Sequence, residues 1–276
     1  MRVPSLKPDK EHKEQPGEKQ AASREFRDNL NELKGKLKII KGNKNIFILG
    51  VLLIVSLSAI FALSFNWSPA ANTTGSTEVS STTLATTNDS TVVKEGPYGN
   101  TSSNITVAYI VGVHPRESAS HQAIIESIHD SDSSLEKRYY LYIINAPLYQ
   151  NNYPQERMNG QLLTNKYVVP DIINNSYQLA VDVHSSNGSY PFNRFIFAPA
   201  RGNKSISIAL ELDDKISWLK YYYPPNPSSI EYVTLPLIQN GIPSIVYEAY
   251  KDDSNTTTKE HAREFIKVID TSQLWG

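Results

Sequence analysis

Apolar and polar positions divide the chain into stretches of different texture. From Ile46 to Phe65, 20 consecutive residues carry no charge and are mostly Ile, Leu, Val and Phe. At about 1.5 Å per residue, such a helix reaches across the roughly 30 Å hydrocarbon core of a bilayer, so the pattern predicts one transmembrane helix over 46–65. Between Asn72 and Thr91, 12 of 20 positions are Ser or Thr, with no apolar period. The stretch 66–104 is therefore expected to be a solvated stalk, with too little apolar surface to offset the entropy of ordering. From Ile105 onward the texture changes. The runs Ile105–Val113, Tyr139–Ile144, Leu179–Val183, Phe195–Ala198 and Ser244–Tyr247 read as strands buried on both faces. The patterns at Ala119–Ile128, Ser205–Ile216, Ser229–Gln239 and Thr257–Asp270 read as helices. The expectation for 105–276 is an α/β domain, a mostly parallel or mixed sheet flanked by helices, with its ligand site beyond the carboxyl ends of the strands.

Charge adds a direction to this layout. Residues 1–45 hold 12 Lys and Arg against 7 Asp and Glu, and Lys34, Lys36, Lys38, Lys41 and Lys44 crowd the start of the apolar run. A basic tail of that kind is expected to stay in the cytosol and to be disordered, placing the C-terminal domain outside a single-pass cell-membrane anchor. A cleavable signal peptide is the rival, but its basic region would be abnormally long and its apolar core shorter than 20 residues. Nine Asn-x-Ser/Thr sequons, at Asn66, Asn72, Asn88, Asn100, Asn104, Asn174, Asn187, Asn203 and Asn255, all follow the apolar run. The whole chain carries a formal charge of −1, so nucleic acid binding by bulk charge is not expected. The absence of cysteine excludes disulfide scaffolds, thiolate metal sites and thiol nucleophiles, and leaves imidazole and carboxylate chemistry.

Those groups fall at predicted strand ends. The first strand runs into His114-Pro115-Arg116-Glu117, a second ends at His184, and a third ends at Glu248. Two imidazoles and one carboxylate make a tetrahedral zinc site with a fourth position left for water, the arrangement of catalytic zinc. Asp182 stands two residues before His184, on the same face of its strand, where it can accept a ring N–H from a ligating histidine. Read singly, each group has a plainer role: Glu117 as a first-turn helix carboxylate, Glu248 paired with Lys251, Arg157 as a solvated loop residue. His121 is expected to be exposed on its helix, His12, His129 and His261 to lie at the surface, and the clusters Tyr139-Tyr140 and Tyr221-Tyr222-Tyr223 to serve packing. No Gly-x-Ser-x-Gly elbow is present, which disfavours a serine hydrolase.

The segments VGVHPRES, DVHSSNG and GIPSIVYEAY together resemble the zinc carboxypeptidase superfamily over roughly 105–270, and especially its succinylglutamate desuccinylase and aspartoacylase-like branch. The resemblance implies one Zn2+ per chain, held by His114, Glu117 and His184, with Glu248 as general base. It also implies that Arg157 polarises the scissile carbonyl. Asn165-Lys166 stands nearest to the family's substrate-binding Asn-Arg pair, with lysine in place of arginine. The activity so implied is hydrolysis of a C–N amide bond, on peptides as a carboxypeptidase or on N-acyl amino acids as a deacylase. The alternatives are a catalytically degenerate zinc-binding module and a structural cell-surface protein.

Overall fold

The computed structural model describes residues 79–149, 152–199, 203–227 and 229–274, which belong to one compact unit, Ser76–Gly276. At its centre is a parallel array. Strands β3 (Thr106–Val111), β4 (Arg138–Asn145), β5 (Leu179–Ser186) and β8 (Ser244–Tyr250) run in the same direction. The described sheet has eight strands in the order β1-β2-β4-β3-β5-β8-β6-β7, where β1 is Ser80–Thr86 and β2 is Thr91–Gly99. Here β6 is Phe195–Phe197, antiparallel to β8, and β7 is Lys220–Tyr221.

The apolar runs of the central strands follow from burial on both faces. In β3, Val107, Tyr109 and Val111 face one side of the sheet. They pack with Ile124 and Ile128 of α1 (Ser118–Ser131), Leu212 of α4 (Asn203–Lys215) and Phe265 and Ile269 of α6 (Asn255–Thr271). The intervening Ala108 and Ile110 face the other side, with Ile172 of α3 (Val169–Asn174) and Leu237 of α5 (Thr234–Gln239). Alternate side chains of one strand thus serve two cores, which removes the polar–apolar alternation seen in half-buried strands.

Three expectations about the elements are corrected. The second half of the expected stalk is folded: Ser80–Thr86 forms β1 and Thr91–Gly99 forms β2, an antiparallel extension paired to β4. Val92 and Tyr98 of β2 reach the core. Backbone pairing across β2 and β4 supplies the order that the Ser- and Thr-rich side chains do not. The helix expected over 229–239 is confined to α5, because Tyr232 and Val233 donate their N–H groups to Ser229 in turns that precede it. Two helices were not foreseen, α2 (Tyr153–Leu163) and α3. Among the described residues no helix is long and apolar enough to cross a membrane. The span expected at 46–65, the basic tail 1–45 and His12 lie outside the described residues.

Two glycines set the approach to the site. Gly112 follows β3 with φ +91°, and a Cβ there would lie 2.0 Å from the Ile144 carbonyl oxygen. Gly160 lets α2 pass close to the same loop, since its Cβ would meet the Val113 oxygen at 2.0 Å. Both positions exclude any larger residue without backbone movement, and both flank His114.

Candidate metal centre

Three strand ends and one helix converge on Glu117. The short turn Pro115–Glu117 follows β3 and leads into α1, so His114 enters it and Glu117 closes it. His114 Nδ1 lies 3.1 Å from Glu117 Oε1, and His184 Nδ1, from β5, lies 2.9 Å from Oε2. The two imidazoles face each other with centroids 4.4 Å apart. Donor atoms from the three side chains all lie within 4.8 Å of one another. His114 and His184 are buried, and Glu117 is only slightly exposed.

The remaining hydrogen bonds hold the carboxylate in place. Ser185 donates its N–H to Glu117 Oε2 at 3.0 Å, and Arg157 Nη1 donates to Oε1 at 3.1 Å. Ser185 Oγ reaches Ser120 Oγ at 2.9 Å, tying the end of β5 to the start of α1. His114 Nε2 lies 2.9 Å from Gln161 Nε2 of α2. His184 Nε2 lies 2.9 Å from Asp182 Oδ1. That approach is too oblique for a hydrogen bond, so both Asp182 oxygens and His184 Nε2 are buried without one.

Electrostatics follow from this crowding. Burial pushes His114 down to about 4, helped by the neighbouring His184 charge. Burial also works against the charged form of His184, but Asp182 and Glu117 outweigh it and hold that imidazole well above its ordinary value. Burial opposes ionisation of Glu117 too, and the His184 charge with hydrogen bonds from both imidazoles holds it well below the usual carboxylate range. Glu248 is pushed up to about 8, first by burial, against the His184 charge and with the Glu117 and Asp182 carboxylates adding to the rise.

The donor set fits a small divalent cation. A neutral imidazole has one N–H, yet His184 has a carboxylate oxygen at 2.9 Å from each ring nitrogen, a setting that favours the doubly protonated ring when no cation is bound. An ion bound at the Nδ1 side replaces one of those protons and leaves Nε2–H for Asp182. Donors at 2.0–2.2 Å from a tetrahedral ion stand about 3.3–3.5 Å apart, so the observed 2.9 and 3.1 Å separations need only slight opening.

The sequence-derived site residues divide in two. His114, Glu117, His184, Arg157 and Glu248 line one cavity of about 320 Å3, whose walls include Tyr153, Tyr190 and Phe197. Glu248 stands directly beside His184 in the register of β8 and β5. Asn165 and Lys166 are not brought there. Asn165 donates to the Tyr232 carbonyl at 2.8 Å, and Lys166 lines a separate hollow with Asp89, Asn159 and Tyr167. A wider helical turn over Thr164–Val168 carries them off the face that bears Arg157. His121 is buried, not exposed, with Nε2 3.1 Å from the Val183 carbonyl oxygen. His261 is also largely covered, stacked at 4.0 Å on Trp218, whereas His129 stays half exposed. Gln161 and Tyr153 were missed. Asn152 caps α2, Pro154 falls in its first turn, and Tyr153, Arg157 and Gln161 then recur every fourth residue on one helix face.

No family model matches the sequence, and no curated relative matches it. By structure, the chain is similar to a metallo-carboxypeptidase from Burkholderia cenocepacia, at 12% identity and TM-score 0.47, covering 70% of this chain and 64% of the other. It is similar also to a metallo-carboxypeptidase from Pseudomonas aeruginosa, solved with (2-guanidinoethylmercapto)succinic acid, at 11% identity and TM-score 0.45, covering 65% and 60%. A third is Helicobacter pylori Csd4, a D,L-carboxypeptidase solved in its mDAP-bound form, at 11% identity and TM-score 0.41, covering 60% and 51%. The chain spans less than two thirds of the length of these structures. At such scores the likeness concerns the course of the chain, and the chemistry must come from its own side chains.

Proposed function

We propose that the protein is a zinc-dependent hydrolase of C–N amide bonds, acting like a carboxypeptidase on peptides or as a deacylase on N-acyl amino acids. One observation carries the reading: His114, Glu117 and His184 offer converging donor atoms in the cavity that also holds Glu248 and Arg157. Bound Zn2+ would supply a Lewis acid for the scissile carbonyl and would lower the pKa of a water from 15.7 toward about 7.

Each side chain then has a defined task. Glu248, with a proton affinity near neutrality, takes a proton from the attacking water and returns it to the departing amine. Arg157 is held by Glu117 and by the Tyr153 hydroxyl, 3.0 Å from Nη1, and its positive charge at the cavity wall stabilises the charge that develops on the carbonyl oxygen. Asp182 keeps His184 in the tautomer that presents Nδ1. Phe197 and Tyr190 exclude water from one wall.

The outward-facing tether over 46–65 belongs to the same proposal. It is supported by the charge-free apolar run behind a lysine cluster and by the exposure of Asn88, Asn100, Asn104, Asn174, Asn187 and Asn255, the sequon asparagines whose side chains are described. The test is hydrolysis of a panel of peptides and N-acyl amino acids by the full chain. Turnover should vanish on chelation and return with zinc. A protein that holds zinc stoichiometrically and cleaves none of the panel would instead be a degenerate binding module.

A further inference from the structure

One of the sequons stands at the mouth of the candidate centre. Asn187-Gly188-Ser189 follows directly on β5, and Asn187 lines the same cavity as Glu117, His184 and Glu248. The Asn187 side chain is exposed. Its Oδ1 accepts from the Ser189 N–H at 3.0 Å and from the Ser189 hydroxyl at 2.6 Å, which folds the sequon into a tight surface turn of the kind asparagine favours. Both contacts use the oxygen of the amide and leave the nitrogen, the atom to which a glycan is joined. Gly188 turns the chain between them with φ +78°, a conformation that glycine adopts without strain.

The base of this turn is fixed. Lys251 donates its N–H to the Ser186 carbonyl at 3.0 Å on one side, and on the other Arg194 Nε donates to Asp253 Oδ2 at 2.7 Å. A group joined to Asn187 is therefore anchored beside the cavity. Asn100, Asn104 and Asn174 differ in place. The first two lie between β2 and β3, and Asn174 closes α3 ahead of β5, so all three stand at the amino ends of the parallel strands, whereas the centre lies at the carboxyl ends. A glycan at those three positions would add bulk to a remote surface. At Asn187 the same bulk falls on the way in.

We propose that Asn187 carries an N-linked oligosaccharide that screens the candidate centre from large molecules while small ones pass. The inference rests on the outward-facing tether and the hydrolase reading proposed above, and it can fail apart from the latter. In the transfer, the Asn187 amide nitrogen bonds to the anomeric carbon of a lipid-phosphate-linked oligosaccharide and gives up one proton. The carbon–oxygen bond to the phosphate breaks, and the phosphate leaves with the bonding pair. The test uses the full chain isolated from membranes of a cell that glycosylates exported proteins. By mass spectrometry of a protease digest, the peptide holding Asn187 should carry an oligosaccharide in the wild type and in Ser189→Thr, and lose it in Ser189→Ala. With zinc bound, kcat/KM for an amide coupled to a large dextran, relative to the same amide free, should rise about tenfold in Ser189→Ala. Ser189→Thr and Asn174→Gln should leave that ratio alone. Removal of zinc by apo-metallothionein, relative to removal by EDTA, should quicken in Ser189→Ala as well, a readout that needs no turnover. An unmodified Asn187 beside an occupied Asn100 or Asn174, or ratios untouched by Ser189→Ala, would overturn the proposal. Sequons all unoccupied would overturn it together with the outward tether. A glycan that slows metallothionein on a protein that cleaves no amide would overturn the hydrolase reading and leave the screen standing.

Discussion

Two carboxylates at opposite ends of the sheet show how differently one fold can satisfy a buried charge. Asp270, near the end of α6, accepts hydrogen bonds from the backbone N–H groups of Glu136 and Lys137 and from the Tyr139 hydroxyl on its side chain, while the Lys137 ammonium donates to the Asp270 backbone carbonyl oxygen. Backbone and phenol donors cannot be exchanged for anything else, and they pin α6 to the start of β4. Glu117, by contrast, is met on each oxygen by an imidazole nitrogen. Those protons are exchangeable, and a divalent cation can take their place. Beside it, Asp182 and His184 Nε2 remain buried without a completed hydrogen bond. A closed polar network reads as architecture, and an open one built from titratable donors reads as chemistry.

Breaking the contrast at its functional end should have the largest effect. Glu248→Gln is expected to bind zinc like the wild type while losing about 10²–10⁴-fold in turnover, the usual worth of a positioned acid–base group. Metal analysis alongside single-turnover kinetics checks both halves. At the structural end, Asp270→Ala leaves three donors without their acceptor, those of Lys137 and Tyr139 buried, at roughly 1 kcal/mol or more each. Stability should therefore fall by about 3 kcal/mol in urea unfolding while zinc affinity stays where it was; a parallel loss of zinc would erase the distinction. Asp182→Asn sharpens the comparison from the other side. It should weaken zinc binding about 10–100-fold in a competitive chelator titration.

The smallest effect is a pH dependence. In metal-free protein the folded value of Glu248 is raised from 4.5 to about 8, so its contribution is fully present below pH 4.5 and is lost as pH rises through about 8. His114 has the opposite sign: lowered from 6.5 to about 4, its contribution is present above pH 6.5 and is lost as pH falls through about 4. Glu248→Gln removes only the first. With chelator present, the variant should gain stability relative to the wild type between pH 5 and pH 8, and a difference flat across that range would deny the shift.

What could be read before the fold was known follows the same division. The central strands were legible because burial on both faces makes continuous apolar runs, and His114, His184 and Glu248 were legible because they stand at the ends of those runs. Strand β1 was not, since its side chains are largely exposed and its order comes from backbone pairing. Helix α2 was hidden for a chemical reason: its buried positions are Glu156, Gly160 and Gln161, a face chosen for contact with Arg116, Val113 and His114 that leaves no apolar period to find. The displacement of Asn165 and Lys166 depends on one widened turn, a backbone detail with no signature in residue type.

A cation shared by two imidazoles and one carboxylate is the centre of the proposed chemistry. Anomalous diffraction at the zinc absorption edge, from crystals of the zinc-loaded protein, addresses it directly. A single peak within bonding distance of His114 Nδ1, His184 Nδ1 and the Glu117 carboxylate is the expected result. Saturating zinc with no peak there, and the three side chains still bonded only to one another, would contradict it.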